Sequence, residues 1–267
     1  MIDLSGMTAL VTGAGQGIGR AIAIVLAKQG AQIAVSDINE DSAKTVANEI
    51  NQLNQTSLAF NTDVSSAPSV NTTVEEILST WGQLDILVNN AGVYAAPGYK
   101  DVPEDRDVDW DIVFDVNVKG IVRCCKAIIP HMKKRRYGKI INIASIAGRF
   151  SNPIHLHYAA SKAAVINYTQ GIAREMAPHN VNVNAICPGI LWTSIWATIA
   201  TRMKNLDPSL SDLEINAIKD KSIRERIPLN REQTPEDIGK AVAFLASEDA
   251  RNITGQSIQV DGGSVMI

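Results

Sequence analysis

The sequence contains few cysteines and no long apolar run, and each of these absences excludes a class of protein. Three cysteines among 267 residues form an odd, unspaced set, Cys124, Cys125 and Cys187, which argues against a disulfide framework or a zinc site. No apolar stretch reaches the roughly 20 residues that cross a bilayer, and the N-terminus lacks the features of a signal peptide. We therefore expect a cytoplasmic protein with no metal and no membrane partner.

A strong excess of one charge is also missing. The formal net charge is −3, which gives no reason to expect nucleic acid or an anionic membrane as a partner. With 45% hydrophobic residues, the chain can bury a large core. Because no linker, repeat or low-complexity segment interrupts it, we expect a single domain over residues 1–267.

Strand-like and helix-like segments alternate along the chain. Strands are predicted near residues 7–12, 31–37, 57–61, 84–89, 138–144, 181–187 and 256–260. Helices are predicted near residues 17–29, 40–53, 67–81, 109–135, 155–177 and 235–247. This alternation is typical of βαβ units with a parallel sheet covered on both faces. Right-handed crossovers then predict an α/β, doubly wound (Rossmann) fold.

A glycine-rich turn follows the first predicted strand and opens the first predicted helix, which is the context that a dinucleotide-binding fingerprint requires. It reads TGAGQGIG over residues 12–19. Glycines let the backbone approach a pyrophosphate, which then lies at the helix N-terminus, where free N–H groups favour negative charge. The candidate cofactor-binding residues of this turn are Thr12, Gly13, Gln16, Gly17, Ile18 and Gly19.

An acidic residue ends the second predicted strand. Asp37 lies eighteen residues after Gly19, near the position expected of a carboxylate that binds the adenosine ribose. Such a carboxylate repels a 2′-phosphate, and neither Gln16 nor Ile38 supplies a positive charge for one. These residues favour NAD over NADP. The alternative is that Asp37 only caps the following helix.

A tyrosine and a lysine are spaced to share one face of a helix. Tyr158 and Lys162 are four residues apart, about one turn. A lysine ammonium beside a phenol is expected to lower the phenol pKa from about 10, which makes Tyr158 a candidate general acid or base. Ser145, thirteen residues upstream, is a candidate to hold the reacting oxygen. By itself, this spacing is also common on helix surfaces.

Taken together, these motifs resemble the compact, single-domain type of short-chain dehydrogenase/reductase. The resemblance covers essentially the whole chain, and the motifs occur in the family's order: Thr12 to Gly19, Asp63-Val64, Asn89 to Gly92, Asn117, Ser145, Tyr158 with Lys162, Pro188-Gly189 with Thr193, and Val260 to Gly263. It implies seven strands in the spatial order 3-2-1-4-5-6-7. It also implies an NAD-dependent oxidoreductase.

The resemblance further implies a role for each site residue. Tyr158 would pass a proton to or from the substrate oxygen, Lys162 would also bind the nicotinamide ribose, and Asn117 would anchor a water that relays protons. Without the family, Asn117 would be interpreted as a helix-interior amide that satisfies its neighbours, and Asp63 as a helix cap. The other implied cofactor contacts are Asp63 and Val64 at the adenine, Asn90, Ala91 and Gly92 at the adenosine, and Pro188, Gly189, Leu191 and Thr193 at the nicotinamide.

Three functions are compatible with these residues. The leading hypothesis is an NAD-dependent enzyme that interconverts a secondary alcohol, such as a polyol or hydroxy acid, and its ketone. The second is a 3-oxoacyl-thioester (acyl carrier protein) reductase; such enzymes usually prefer NADP and would want a basic residue near Gln16 or Ile38. The third is a non-catalytic protein that senses dinucleotides, but such a protein should have lost the tyrosine or the lysine.

The substrate itself is not encoded in any spacing. Specificity is expected to lie in residues 93–99, 147–157 and 189–226. Arg149 and His155 are candidates for substrate contact, although a structural placement is the commoner outcome. Residues 194–226, with Trp196 near their start and Pro208 between two amphipathic stretches, are predicted to form a mobile two-helix lid.

A homotetramer is expected from the family. The helices predicted at 109–135 and 155–177 are rich in Val, Ile and Ala, and in the family they pair across a two-fold axis. The faces expected to take part carry Val113, Val116, Gly120, Ala163, Ile166 and Gln170.

Overall fold

The central feature of the fold is one seven-stranded parallel sheet in the order β3-β2-β1-β4-β5-β6-β7, in a computed structural model that describes residues 2–150 and 155–267. The strands are β1 Thr8–Thr12, β2 Gln32–Asp37, β3 Ser57–Asn61, β4 Ile86–Asn89, β5 Gly138–Ile143, β6 Val181–Pro188 and β7 Ser257–Val260. The doubly wound fold and its strand order are therefore confirmed. Residues 151–154, part of the segment expected to shape specificity, lie outside the described residues.

Helices cover both faces of the sheet. The main helices are α1 Gly17–Lys28, α2 Glu40–Gln52, α3 Ala67–Trp81, α4 Asp107–Phe114, α5 Gly120–Arg135, α6 Leu156–Met176, α7 Ser194–Leu206, α8 Ile215–Arg226 and α9 Pro235–Ala246. One apolar core joins α1, α2 and α9 to the sheet, and a second joins α3, α5 and α6 to its other face. Because both faces of the sheet are covered, every residue of β1 and β5 is buried, whereas the edge strands β3 and β7 are only partly buried.

The parallel register aligns the carboxyl ends of the strands along one edge of the sheet. Thr12 pairs with Ser36, Asp37 with Asn61, and Asn89 with Asn142. Ligands of such sheets bind outside this edge. The motifs that follow each strand in the sequence are therefore brought together there.

The helix predicted over residues 109–135 is interrupted. α4 passes into a π-helical turn at Asp115–Lys119 before α5 begins at Gly120. A π turn admits one extra residue into the helix, and such turns often occur at functional sites. Asn117 lies within this turn and is fully buried.

Residues 194–226 form α7 and α8, with a short 3₁₀ turn at Pro208–Leu210 between them. Proline pre-sets the backbone for a helix start and disrupts a helix interior, which explains the break. The two helices share a small apolar cluster of their own, with Trp196, Ala200, Leu210 and Ile218 buried in it. Among the described residues, no helix has the length and apolar character that a membrane span requires.

Candidate active site

A cavity of about 1030 Å³ opens at the carboxyl edge of the sheet. One end is formed by the glycine turn and Asp37, and the other by Ser145, Tyr158 and Lys162. The predicted site residues that line it are Gly13, Gln16, Gly17, Ile18, Gly19, Asp37, Ile38, Asp63, Val64, Asn90, Ala91, Gly92, Ser145, Tyr158, Lys162, Pro188, Gly189, Leu191 and Thr193. Thr12 and Asn117 do not line the cavity; their side chains hydrogen-bond the loop after β4, which does.

The glycine turn is held against the loop that follows β4. The Thr12 hydroxyl accepts hydrogen bonds from the backbone N–H groups of Asn90 and Ala91, each at 3.1 Å. The Asn90 amide donates back to the carbonyls of Thr12 and Gly13, at 2.9 and 3.0 Å. A side chain at Gly19 would collide with the Gly13 carbonyl and the Asn90 amide. The turn can only close this tightly with glycine there.

The N-terminus of α1 faces this turn. Within the described residues, Gln16 precedes the helix without a side-chain cap on its first N–H groups. Uncapped N–H groups and the helix dipole together favour an anionic ligand. The turn and the helix start can therefore hold a pyrophosphate, and no metal-binding cluster of His, Cys, Asp or Glu occurs in the part of the chain that is described.

Asp37 presents its carboxylate at the adenosine end of the cavity. Its two oxygens accept hydrogen bonds from the backbone N–H groups of Gly15, at 2.9 Å, and Asn39, at 3.0 Å. The helix cap of α2 is Asn39, which accepts from Ser42, so Asp37 is not the cap itself. Ile38 is 69% exposed at the rim.

The adenosine end of the cavity has no basic lining residue among those described. The lysine and arginine that line the cavity, Lys162 and Arg226, belong to its opposite end. The nearest basic residues along α1 and α2 are already paired, Arg20 with Glu49 and Lys44 with Glu40. A 2′-phosphate would therefore meet the Asp37 carboxylate without a compensating cation.

Asp63 has a structural task as well as a place in the cavity wall. Its Oδ1 accepts hydrogen bonds from the N–H of Ser65, at 2.8 Å, and the Ser65 hydroxyl, at 2.6 Å. These bonds shape the turn before α3, whose cap is Ser66. Asp63 is therefore not the helix cap itself, although its carboxylate orders the turn before the cap; its contact with an adenine stays a prediction, as does that of Val64.

Tyr158, Ser145 and Lys162 meet at the other end of the cavity. Ser145 follows β5, and Tyr158 and Lys162 lie one turn apart near the start of α6. Ser145 forms a hydrogen bond with the Tyr158 phenol. The Lys162 Nζ donates to the Ile143 carbonyl at 2.9 Å and lies 5.6 Å from the centroid of the Tyr158 ring. The chain thus brings an acid, an oxygen-binding hydroxyl and a cation together.

Burial sets the pKa values of this group. Desolvation raises the pKa of Tyr158 to about 12, although its hydrogen bond with Ser145 acts in the opposite direction. Desolvation likewise lowers the pKa of Lys162 to about 8. The sequence-based expectation that Lys162 lowers the pKa of Tyr158 is not met, because the ammonium donates to a backbone carbonyl and the cost of burying a phenolate is larger.

Asn117 supports the site from the π turn. Its amide oxygen accepts from the N–H of Val93 at 2.8 Å, and its amide nitrogen donates to the Val93 carbonyl at 2.9 Å and to the Ser161 hydroxyl at 3.2 Å. The side chain therefore satisfies its neighbours and ties the loop after β4 to α6. The water relay expected for Asn117 stays a prediction.

The wall around Tyr158 is largely apolar. Its residues come from the segment after β5, the turn after β6, α7 and the C-terminal segment, and include Phe150, Ile190, Ile195, Trp196, Ile199, Met203 and Val265. His155 is a polar exception beside Tyr158, and Glu225 and Arg226 at the end of α8 are exposed. Trp192 and Arg149 do not line the cavity.

A buried polar cluster behind Tyr158 was not foreseen from the sequence. His157 contacts Asp105 at 3.0 Å and the Tyr94 carbonyl at 2.9 Å. Asp105 also accepts from the Tyr99 hydroxyl and faces Arg202 at 3.8 Å. The cluster joins α6, α7 and the loop before α4, and no spacing relates residues so far apart in the chain.

Comparison with known proteins places this arrangement among enzymes. A family model described as enoyl-(acyl carrier protein) reductase matches residues 13–265. The 3-oxoacyl-[acyl-carrier-protein] reductase FabG of Staphylococcus epidermidis is 39% identical over 262 residues, which are 97% of this chain and 99% of the relative. The oxidoreductase UcpA of Salmonella typhimurium is 38% identical over 267 residues, or 100% and 97% of the two chains.

Two solved structures share the fold over nearly their whole length. A 7α-hydroxysteroid dehydrogenase complexed with NADH and 7-oxo glycochenodeoxycholic acid has a TM-score of 0.84 and 33% identity, and the match covers 100% of this chain and 97% of that one. An NAD⁺-bound xylitol dehydrogenase has a TM-score of 0.87 and 30% identity, with 97% and 99% covered.

Proposed function

The chain belongs to the short-chain dehydrogenase/reductase family and is an oxidoreductase, and from this premise we propose that it interconverts an apolar ketone and its secondary alcohol with NAD(H). One observation carries the proposal. Ser145, Tyr158 and Lys162 meet at the apolar end of a cavity whose other end presents the Asp37 carboxylate. A non-catalytic dinucleotide sensor has no need of the acid, the hydroxyl and the cation together.

Each of the site residues has its own role in the proposed reaction. When bound, the nicotinamide supplies or accepts the hydride. In the reducing direction, Tyr158 gives its phenolic proton to the substrate oxygen, and Ser145 hydrogen-bonds the same oxygen and fixes its position. A Tyr158 pKa of about 12 keeps the phenol protonated at neutral pH, as a general acid requires. Lys162 would hold the nicotinamide ribose.

NAD(H) is proposed over NADP(H) because Asp37 occupies the ribose end without a basic neighbour. The expectation from the 3-oxoacyl reductases is the opposite, since enzymes of that kind usually prefer NADP. The similar 7α-hydroxysteroid dehydrogenase and xylitol dehydrogenase structures carry NADH and NAD⁺, respectively, which supports the proposal. Cofactor preference is therefore the sharpest first test.

Wild-type protein should have the higher kcat/KM with NADH than with NADPH. In the double variant Asp37→Ala with Ile38→Arg, the repulsion is removed and a cation is added, so the preference should shift toward NADPH. Leu53→Arg is a matched control, because it adds the same charge at an exposed apolar position outside the cavity and should leave the ratio unchanged. A wild-type preference for NADPH would overturn the assignment.

For the substrate, we propose a 3-oxoacyl thioester ahead of a polyol or a small hydroxy acid. The Staphylococcus relative is a 3-oxoacyl reductase, and the wall around Tyr158 offers Ile190, Trp196, Ile199 and Met203. A polyol would leave most of its hydroxyl groups without partners against such a wall, which is unfavourable. An acyl chain or a ring system would bury apolar surface there.

The substrate proposal is tested by following the absorbance of the reduced nicotinamide. Acetoacetyl-CoA and a steroid ketone are supplied with NADH, and xylitol with NAD⁺. We expect the largest kcat/KM with acetoacetyl-CoA. If xylitol is oxidised efficiently and neither ketone is reduced, the polyol hypothesis is right and the apolar substrate class is wrong.

A further inference from the structure

His155 is a buried side chain without a hydrogen-bond partner among the described residues, and it faces the substrate end of the cavity. It is 7% exposed and lines the cavity with Tyr158. Neither of its ring nitrogens has a hydrogen-bond partner within the described part of the chain. The ring centroids of His155 and Tyr158 are 6.1 Å apart, edge to face. The imidazole therefore lies beside the reacting phenol.

Tyr94 packs against His155 and Tyr158 but does not itself line the cavity. It is 4% exposed, and its hydroxyl also has no partner among the described residues. Its ring centroid lies 5.3 Å from that of Tyr158 and 6.0 Å from that of His155. The three rings thus form one contiguous group.

A neighbouring histidine shows that the surroundings can satisfy an imidazole. His157, two residues away and fully buried, contacts Asp105 and the Tyr94 carbonyl through its two nitrogens. A buried polar group left unsatisfied costs about 1–3 kcal/mol, and buried polar groups in native proteins are normally paired. The contrast indicates that the partner of His155 comes from outside the described residues, and a ligand in the cavity that His155 lines can supply it.

The protonation states define the chemistry of that partner. Desolvation, with the nearby His157 as a further cause, lowers the pKa of His155 to about 4, so at neutral pH the ring has one N–H donor and one acceptor. Desolvation also raises the pKa of Tyr94, which keeps its hydroxyl proton. Both groups can donate a hydrogen bond without carrying charge, which suits a neutral oxygen.

We propose that His155, packed against the buried Tyr94 ring, forms a subsite for a second, uncharged oxygen of the substrate, next to the oxygen that reacts at Tyr158. In a 3-oxoacyl thioester, this second oxygen is the thioester carbonyl. The subsite deepens the proposed function and rests on it. His155 is thereby a specificity-determining residue that selects substrates with two neighbouring oxygens.

The test compares two ketones that differ only in the second oxygen: the acetoacetyl thioester of N-acetylcysteamine, and the analogue with a methylene in place of the thioester carbonyl. His155→Leu keeps the apolar bulk and removes the hydrogen bond. It should lower kcat/KM for the thioester roughly 10-fold, as expected for one lost hydrogen bond of about 1.4 kcal/mol. The kcat/KM for the analogue should be unchanged. His155→Gln should recover part of the loss, because its amide donates again.

A matched control is His179→Leu, because His179 lies outside the cavity, in the turn after α6. This substitution should leave kcat/KM for both ketones unchanged. An equal loss with both ketones in His155→Leu would overturn the subsite, because a purely structural imidazole bonded to a buried water predicts that result. No loss with either ketone would overturn it as well.

The subsite and the proposed function fail in different ways. A wild-type enzyme that reduces neither ketone overturns the proposed function. The subsite is then judged without turnover, from the ¹⁵N shifts of the His155 ring in the complex with NADH. Shifts that move on adding the thioester but not the analogue support the subsite, and shifts that move with neither overturn it.

Discussion

At the scale of single residues, burial acts on Tyr158 and Lys162 in opposite directions. It disfavours the charged form of each group, so the phenol holds its proton more tightly and the ammonium less tightly. The two pKa values, about 12 for Tyr158 and about 8 for Lys162, therefore move apart from their nearly equal ordinary values of 10.0 and 10.5. The acid role of Tyr158 follows directly, while a base role in alcohol oxidation needs additional positive charge nearby.

Replacing the phenol should therefore strongly reduce turnover and leave cofactor binding nearly unchanged. Tyr158→Phe preserves the ring and should reduce kcat by the 10²- to 10⁴-fold, roughly, that general acid–base catalysis contributes. The dissociation constant for NADH, measured by fluorescence, should be nearly unchanged. Lys162→Ala should lower kcat and also weaken NADH binding, because Lys162 acts on catalysis and on the cofactor. Near-wild-type turnover in Tyr158→Phe would contradict the mechanism.

The raised pKa also predicts a spectroscopic result. Because the folded-state pKa of Tyr158 is about 12, the phenol should stay protonated as the pH rises. The phenolate absorbance of wild type minus that of Tyr158→Phe should stay flat up to about pH 10, the ordinary tyrosine pKa. A step near pH 8 in the cofactor-free protein would mean that Lys162 outweighs burial after all.

At the scale of elements, α7 is anchored to the loop before α4 by a buried arginine. Arg202 of α7 is 2% exposed and donates to the carbonyls of Tyr99 at 2.9 Å and Pro103 at 3.0 Å, and also to that of Val102. Its guanidinium lies 3.9 Å from the centroid of the Tyr99 ring. Residues 194–226 are thus expected to move unequally, with α7 as a fixed wall and α8 as the mobile part of the lid.

Hydrogen exchange can separate the two helices. Amides of α7 should exchange slowly without ligand, whereas those of α8 should slow only when NAD and a substrate analogue bind together, with a change in Trp196 fluorescence. Arg202→Met removes the anchor and leaves buried carbonyls unpaired, so it should destabilise α7 by about 3 kcal/mol and speed its exchange. Arg224→Met, at an exposed position of α8, is the control. If the amides of α8 exchange slowly even without ligand, residues 194–226 form a fixed wall of the cavity and the lid prediction is wrong.

At the scale of the whole molecule, the surfaces named for assembly need correction. Val113, Gly120 and Ile166 are buried in the chain's own core and cannot be covered by a partner, whereas Ala163 and Gln170 are exposed. The structure instead exposes apolar surface at the start of α4, where Val108 is 50% and Trp110 is 37% exposed. The homotetramer stays a prediction, with α4 added to the proposed interface.

Light scattering at micromolar concentration should give the mass of four chains. Val108→Glu places a charge on the exposed face of α4 and should lower the mass, because a buried, unpaired carboxylate is costly. Leu53→Glu, at an exposed apolar position at the end of α2, should leave the mass unchanged. A monomeric wild type would contradict the prediction.

Much of the fold and of the cofactor end could be read from local patterns. A buried strand, a glycine turn and an amphipathic helix are each encoded by neighbouring residues, and the alternation of such units leaves little choice of topology. The roles of Asp37 and of the pair Tyr158 and Lys162 could be predicted for the same reason. Each role depends only on a position at the end of a strand or on a spacing of one helical turn.

The rest depended on residues that meet only when the chain is folded. The π turn around Asn117 has no local signature, and Arg202 finds its partners about a hundred residues earlier in the chain. The lowered pKa of His155 and the raised pKa of Tyr158 come from desolvation, which is a property of everything packed around a group and of no sequence window. Local spacing therefore identified which side chains take part, and three-dimensional packing determined their protonation, their partners and the shape of the pocket.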